Sequence, residues 1–211
     1  MAKIRIAQKD TYEAHMLWPP SPVVWVSSLS KDGVADLAPF SLNQFYSYLA
    51  NWPQVIVIGI GGHTGPIVRG KGTKKTYQNI TATKDFVVNI PSEEHIEKIN
   101  LTALEKPPGF DKFKAYDLTP TPSQVVRSPS VGECKVHYEC KLMKIDDYGG
   151  HSEAVYGNVL AVVAEESVLS KKADEKVAAI NPIYYYGVGA GKGLYFSAGR
   201  IIGERDDSKY T

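Results

Sequence analysis

Two stretches of the sequence bring together residue types that suit a phosphate-bearing small molecule. In the first, small and hydroxyl residues follow two β-like runs, namely Ser27, Ser28, Ala38, Pro39, Phe40 and Ser41. The second, Gly59 to Thr76, contains six glycines and four basic residues but no acid. The backbone N–H groups of such a loop, together with its positive charge, can surround a phosphate. We therefore predict a small-ligand site with local anion binding, and a solvated surface loop is the alternative for the second stretch.

The first stretch is predicted to be a β-hairpin. Val23 to Val26 is a β-branched and aromatic run that suits a pleated sheet. Ser30 to Gly33 supplies the turn, because Asp and Gly tolerate the left-handed backbone of a tight hairpin. Val34 to Leu37 is expected to return, and Pro39 to end the pairing because proline has no N–H. The hydroxyls that leave the first strand and the residues that leave the second are expected to converge.

The second stretch leads into a predicted short helix from Lys74 to Thr83. Thr76 would then lie in the first turn, where its hydroxyl and the helix N–H groups can face an anion. Gly65 to Lys71 has the G-x-x-x-x-G-K spacing of a P-loop, but Gly72 stands where a Ser or Thr must hold magnesium. No G-x-G-x-x-G fingerprint of a dinucleotide-binding fold is present. A P-loop NTPase and a Rossmann enzyme are therefore both disfavoured.

The remaining pattern predicts several short strands with few helices. Strands are expected at 54–60, 85–90, 135–144 and 154–163, and helices after Ser92, at 110–117 and at 170–180. His137 and Glu139 are expected to point outward on either side of an inward Tyr138. The expected fold class is mainly β, a β-barrel with helical insertions. We expect one domain over residues 1–211, with a core of about 20–165 and a C-terminal extension over 166–211.

Composition excludes several function classes. The chain of 211 residues has a net charge of +1, which favours neither nucleic acid nor an anionic membrane as partner. Its start has no long apolar run, and no stretch reaches membrane-spanning length, so a cytoplasmic protein is expected. Cys134 and Cys140 fit neither a disulfide nor a zinc pattern and are expected to be reduced and buried. No catalytic side chain and no metal ligand set is predicted.

The sequences of these motifs resemble those of one known family. PVVWVSSLSKDGVADLAPFS is similar to the P-V-x-x-V-S-T-x-x-x-D-G-x-x-N-L-A-P-F-S stretch of the flavin reductase-like family, the FMN-binding split β-barrels. GTKKTYQNI resembles the family's K-D-T-x-x-N-I, and DFVVNI its E-F-V-V-N. EKPPGFDKF and DLTPTPSQVV continue the likeness. The resemblance covers about Pro20 to Val163 in a single order, which is more specific than one short motif.

The resemblance implies a cofactor and the residues that would hold it. Lys74 and Thr76 match the phosphate-holding Lys and Thr of K-D-T, and Lys75 replaces the Asp. That replacement adds a positive charge that either tightens phosphate binding or faces solvent. The positions that line the flavin in the family, largely through backbone groups, match Ser27, Ser28, Ala38, Pro39, Phe40, Ser41 and Asn43. The implied cofactor is FMN, with NADH or NADPH as a transient co-substrate.

The implied activity is an NAD(P)H-dependent flavin reductase that works as a homodimer. A nicotinamide would pass a hydride to FMN, and electrons would continue to free flavin, ferric iron or a partner oxygenase such as a flavin-dependent monooxygenase. No side-chain general base is required for this chemistry. Two alternatives stay open: a non-enzymatic FMN electron carrier, and a flavin-free split-barrel interaction module.

Overall fold

The computed structural model describes residues 3–7, 17–46, 54–61, 63–64, 67–68, 74–147, 152–189 and 192–198. Its strands are β1 (Ser21–Pro22), β2 (Val24–Leu29), β3 (Ala35–Phe40), β4 (Asn43–Tyr46), β5 (Gln54–Gly61), β6 (His63–Thr64), β7 (Ile67–Val68), β8 (Asp85–Asn89), β9 (Pro120–Thr121), β10 (Ser130–Val131), β11 (Val136–Asp147), β12 (Ser152–Ala164), β13 (Ile183–Gly189) and β14 (Lys192–Ser197). Its helices are α1 (Lys75–Thr83), α2 (Ile96–Ala103), which follows a 3-10 turn at Glu93–His95, α3 (Lys112–Ala115), α4 (Glu166–Leu169) and α5 (Ala173–Ile180). Most of the Gly-rich stretch before α1, including residues 69–73, lies outside the described residues.

A seven-stranded sheet in the order β3-β2-β8-β11-β12-β5-β4 forms the body of the molecule. Its two edge strands, β3 and β4, are consecutive in the chain and separated by Ser41 and Leu42 alone. The Gly59 N–H on β5 donates to the Leu42 carbonyl at 2.6 Å. Because so short a connection must reach both edges, the sheet curls round on itself. This confirms the predicted mainly β fold, a split barrel.

The predicted hairpin is confirmed as β2 and β3, but its end was wrongly predicted. Gly33 has φ +79° and donates its N–H to the Ser30 carbonyl at 3.0 Å, as the turn chemistry required. Pairing does not stop at Pro39, which lies opposite Trp25 within β3. Proline is tolerated there because β3 is an edge strand, where a missing N–H removes no bond to a second neighbour.

The hairpin lies between two hydrophobic cores because its side chains alternate between the two faces of the sheet. Val24 and Val26 point into the barrel and pack with Ile80 of α1 and with the inward residues of the other strands. Trp25 and Leu37 point outward into a second core, which Ile99 of α2, Phe113 of α3 and Ile183 of β13 complete. Helices therefore cover β3 from both sides.

Most of the other predicted elements are confirmed, with three differences. Glu139 does not point outward to solvent: it is buried, and its carboxylate accepts the N–H groups of Gln124 (2.8 Å) and Val125 (2.6 Å) from a covering loop. The segment predicted as one helix at 170–180 forms α4 and α5. The C-terminal segment contains an unpredicted hairpin, β13 and β14, which pairs with β1. The extent of the domain stays a prediction.

Candidate functional site

A cleft of 770 Å³ lies beside the end of β3, and we call it the tyrosine cleft. Three elements form its walls: Pro39 to Ser41 at the end of β3, the Ile99 to Leu104 side of α2, and the β13–β14 hairpin. Its surface is mainly apolar, with a few polar groups such as the Ser41 hydroxyl and the Asn100 amide. Three of the predicted site residues are therefore together at one concave surface of the size that ligands occupy.

A pair of tyrosines shapes the hairpin wall of this cleft. The rings of Tyr185 and Tyr195 face each other across the two strands at 5.4 Å between centroids. The Tyr195 hydroxyl donates to Asn100 Oδ1 at 2.7 Å and so ties the hairpin to α2. Gly193 makes room for this arrangement, because a Cβ at that position would lie 2.1 Å from the Tyr185 ring. The cleft wall is thus aromatic and fixed by a specific polar contact.

The start of α1 is linked to the segment that follows α2, one residue beyond the wall of the tyrosine cleft. Lys74 is the N-cap residue, Thr76 lies in the first turn as predicted and is 2% exposed, and that turn contains no acid. Lys74 Nζ lies 3.5 Å from Glu105 Oε1, and the preceding residue, Leu104, lines the tyrosine cleft. A positive side chain and the positive end of a helix are thus close to the β3 residues.

Lys75 points into a second cleft of 540 Å³, which we call the lysine cleft. Its Nζ lies 3.7 Å from Oδ1 of Asp36, a β3 residue that is 1% exposed. Lys112 Nζ lies 3.6 Å from the same oxygen and also donates to the Leu37 and Thr102 carbonyls, both at 2.8 Å. Burial lowers the pKa of Lys112, and the Asp36 carboxylate opposes that shift. Lys75 therefore faces a carboxylate, whereas open solvent or a phosphate was expected.

The hydroxyls of Ser27 and Ser28 do not converge with the end of β3, contrary to expectation. Ser27 Oγ donates to the Pro129 carbonyl at 2.5 Å and accepts from Asn89 Nδ2 at 3.1 Å. Ser28 Oγ faces the other side of the sheet and accepts from Asn79 Nδ2 at 3.1 Å. Both serines are fully buried. Successive strand residues alternate in direction, so the two hydroxyls lie on opposite faces of the sheet. That the backbone of Ser27 and Ser28 lines a flavin stays a prediction.

Asn43 fixes the turn that follows β3. Its Nδ2 donates to the Pro22 carbonyl at 2.7 Å and to the Phe40 carbonyl at 3.2 Å. Its Oδ1 is buried and has no hydrogen-bond partner among the described residues. A buried acceptor without a donor is costly, so this oxygen is a natural contact for a ligand N–H or O–H group. Ala38, which the family resemblance places beside the flavin, is half-buried within β3.

Sequence reasoning missed Asp36, Asn100 and Tyr195. The run Tyr184 to Tyr186 is most often typical of packing at a surface or interface, with flavin stacking or a dimer contact as the lesser alternative, and its partner strand was not predicted. The signal for Asp36 was its register: it lies opposite Ser28, so it shares the face that α1 covers.

Other kinds of site receive no support from the part of the chain that the structure describes. Within the described ranges, no group of three His, Cys, Asp or Glu side chains is placed to hold a metal ion. Cys134 and Cys140 are free and buried, and burial raises the pKa of both thiols. None of the described helices has the length and apolar character needed to cross a membrane.

The sequence comparisons find related proteins over most of the chain. Residues 17–191 match the sequence model of a family described as flavin reductase like domain. An uncharacterized protein of Aquifex aeolicus is 35% identical over 165 residues, which cover 78% of this chain and 79% of that protein.

The structural comparisons agree. Nitrilotriacetate monooxygenase component B from Bacillus cereus has a TM-score of 0.79 and 26% identity, over 97% of this chain and 98% of that one. Flavoredoxin of Desulfovibrio vulgaris has a TM-score of 0.75 and 20% identity, over 97% of both chains, which shows a shared fold.

Proposed function

The chain belongs to the flavin reductase-like family, whose relatives support a flavin-reducing oxidoreductase, and from that premise we propose an FMN-dependent NAD(P)H:flavin reductase. The observation that carries the proposal is the adjacency of two features. Pro39 to Ser41 line a ligand-sized cleft, and Lys74, at the acid-free start of α1, pairs with Glu105, the residue that follows the cleft-lining Leu104. The planar ring of a flavin would need such a cleft, and the phosphate of the same cofactor would need such a positively charged group.

The residues present fit a flavin mononucleotide. The apolar and aromatic walls of the tyrosine cleft suit an isoalloxazine ring, and 770 Å³ lies within the usual range for cofactor sites. Asn43 does not line the tyrosine cleft, but its side chain donates to the Phe40 carbonyl and so fixes the cleft wall at the end of β3. Lys74 and Thr76, with the first-turn N–H groups of α1, would hold the phosphate. Ala38 would contribute through its backbone.

The protein's own groups bind and orient, and the bound flavin supplies the capacity to accept a hydride and release electrons. Phe40 packs against the barrel core and so fixes the end of β3. Tyr185, Tyr195 and Leu104 line the cleft and would pack against a bound ring. Hydride transfer from a nicotinamide removes no proton from the protein, so no described residue has to act as a general base.

We propose that the electrons leave to free flavin, ferric iron or a partner oxygenase. The partner oxygenase is suggested by the component B of a monooxygenase among the structural relatives. A homodimer is supported by large exposed apolar side chains around the cleft, where Leu104 and Leu194 are 51% and 52% exposed. Sedimentation at micromolar concentration should give twice the monomer mass. Free buried thiols are consistent with a cytoplasmic location.

An anaerobic absorption titration tests the function. The purified protein, reconstituted with FMN, should show flavin bands that bleach on addition of NADH or NADPH. Bands that persist would indicate an electron carrier reduced by another protein, and an absence of bands would indicate a flavin-free module. Lys74→Met combined with Thr76→Ala should abolish NAD(P)H oxidation at micromolar FMN. Undiminished turnover in that variant would refute the assigned phosphate site.

A further inference from the structure

We infer that Asp36 is a positioning residue that holds Lys75 away from the flavin phosphate, so that selection for a phosphorylated flavin rests on Lys74. The inference depends on the proposed function, because it concerns the same site.

Asp36 is held between two ammonium groups. Its Oδ1 lies 3.6 Å from Lys112 Nζ and 3.7 Å from Lys75 Nζ, and its side chain is 2% exposed. This oxygen has no hydrogen bond among the described residues, so these two cations are what stabilise its charge there. A carboxylate that is nearly fully buried needs such partners, because burial without them disfavours the ionised form.

Lys112, the other cation beside Asp36, is fixed independently of Lys75. It donates to the Leu37 and Thr102 carbonyls, and so joins β3 to the end of α2. The position of Asp36 is therefore held by the fold without Lys75. Lys75 is the more exposed of the two cations, with a side chain that is 28% exposed against 7% for Lys112.

The pair of Asp36 and Lys75 joins β3 to the first turn of α1. Asp36 lies two residues before Ala38, on the β3 face that α1 covers, so the pair brings that turn against β3. The same pair neutralises Lys75. Lys74 pairs instead with Glu105, whose side chain is 29% exposed, and so it can be released to a phosphate more easily.

The test compares two matched variants, Lys74→Met and Lys75→Met, in the full-length protein freed of flavin. FMN and riboflavin are titrated separately, and the dissociation constant of riboflavin divided by that of FMN reports recognition of the phosphate alone. Loss of a charged contact to phosphate should lower this ratio about tenfold in Lys74→Met. In Lys75→Met it should stay within twofold of the wild type. A fall in Lys75→Met that matches the fall in Lys74→Met overturns the inference.

Asp36→Asn provides the opposite perturbation. It releases Lys75 next to the start of α1, so the preference for FMN over riboflavin should rise at least twofold. An unchanged ratio in a folded Asp36→Asn variant counts against the inference.

Failure of the proposed function has a separate signature, because the wild type would then bind neither flavin. In that case the pair is tested through unfolding by urea, in a cycle of Asp36→Asn, Lys75→Met and the double variant. A coupling of about threefold in the unfolding equilibrium constant is expected for a partly exposed pair. Additive effects of the two substitutions would overturn the positioning role.

Discussion

Replacement of Lys112 by Met is the most informative test of the structure around β3. The side chain is 6% exposed, and its ammonium donates to two carbonyls and pairs with Asp36. Met has a similar volume but no donor, so the two carbonyls and the carboxylate lose their shared partner. Removal of one member of a buried ion pair costs about 3–5 kcal/mol, because the other charge stays buried. The free energy of unfolding should fall by that amount.

Urea unfolding followed by circular dichroism measures this change, and the melting temperature should fall by roughly 10 °C. Lys114→Met is the matched control, because Lys114 lies in the same short helix with an exposed side chain. That control should change the free energy of unfolding by less than about 0.5 kcal/mol. If the two variants unfold alike, the ion pair contributes nothing and the argument for Asp36 fails with it.

A double variant checks the cause. In Lys112→Met the buried Asp36 carboxylate keeps only the partly exposed Lys75 as a partner, and Asp36→Asn removes that carboxylate. The double variant should be more stable than Lys112→Met alone by about 1–3 kcal/mol, since the penalty for the poorly compensated carboxylate is removed. A double variant that is less stable than Lys112→Met would show that the loss arises from packing.

Three further predictions concern Glu139, His137 and Gly193. Glu139→Ala removes the acceptor of two backbone N–H groups and should lower the free energy of unfolding by about 2–4 kcal/mol, with earlier proteolysis of the 122–129 loop. Burial lowers the pKa of His137, whose Nδ1 lies 3.0 Å from Asn89 Oδ1. The neutral side chain therefore contributes stability above the unfolded-state pKa, and this stability is lost as the pH falls through the folded-state pKa. Urea unfolding from pH 7 to pH 5 should therefore show a shallower loss in His137→Gln. Gly193→Ala places a methyl group against Tyr185 and should weaken FMN binding in a fluorescence titration, whereas unchanged affinity would remove that ring from the site.

Sequence alone predicted the features that depend on neighbouring residues. The turn at Ser30 to Gly33 needs only local backbone preferences, and the structure shows it. The helix start at Lys74 and the cap at Ser92 follow from the same kind of local pattern. The family motifs predicted the split-barrel fold, because they follow one another in the family's order over most of the chain.

The features that sequence missed depend on contacts between distant residues. Lys112 and the Leu37 carbonyl are 75 positions apart, and no local pattern reveals that contact. The β13–β14 hairpin is stabilised by packing on β1 and α2, so its glycines and tyrosines resemble a loop when read alone. Ser27 and Ser28 illustrate the opposite error, since hydroxyls suited to a ligand are here used to satisfy buried amides.

The proline that was expected to end β3 instead accounts for the open edge beside the cleft. Leu37 offers its carbonyl to Lys112, so that carbonyl points away from β2, and alternation along the strand gives Pro39 the same outward direction. The missing N–H of Pro39 therefore faces the free edge, where it breaks no bond within the hairpin. An edge with an acceptor and no donor cannot pair fully with a further strand. Pro39 thus leaves this edge of β3 without a donor at the point where the tyrosine cleft begins, and Ser41 beside it lines the same cleft.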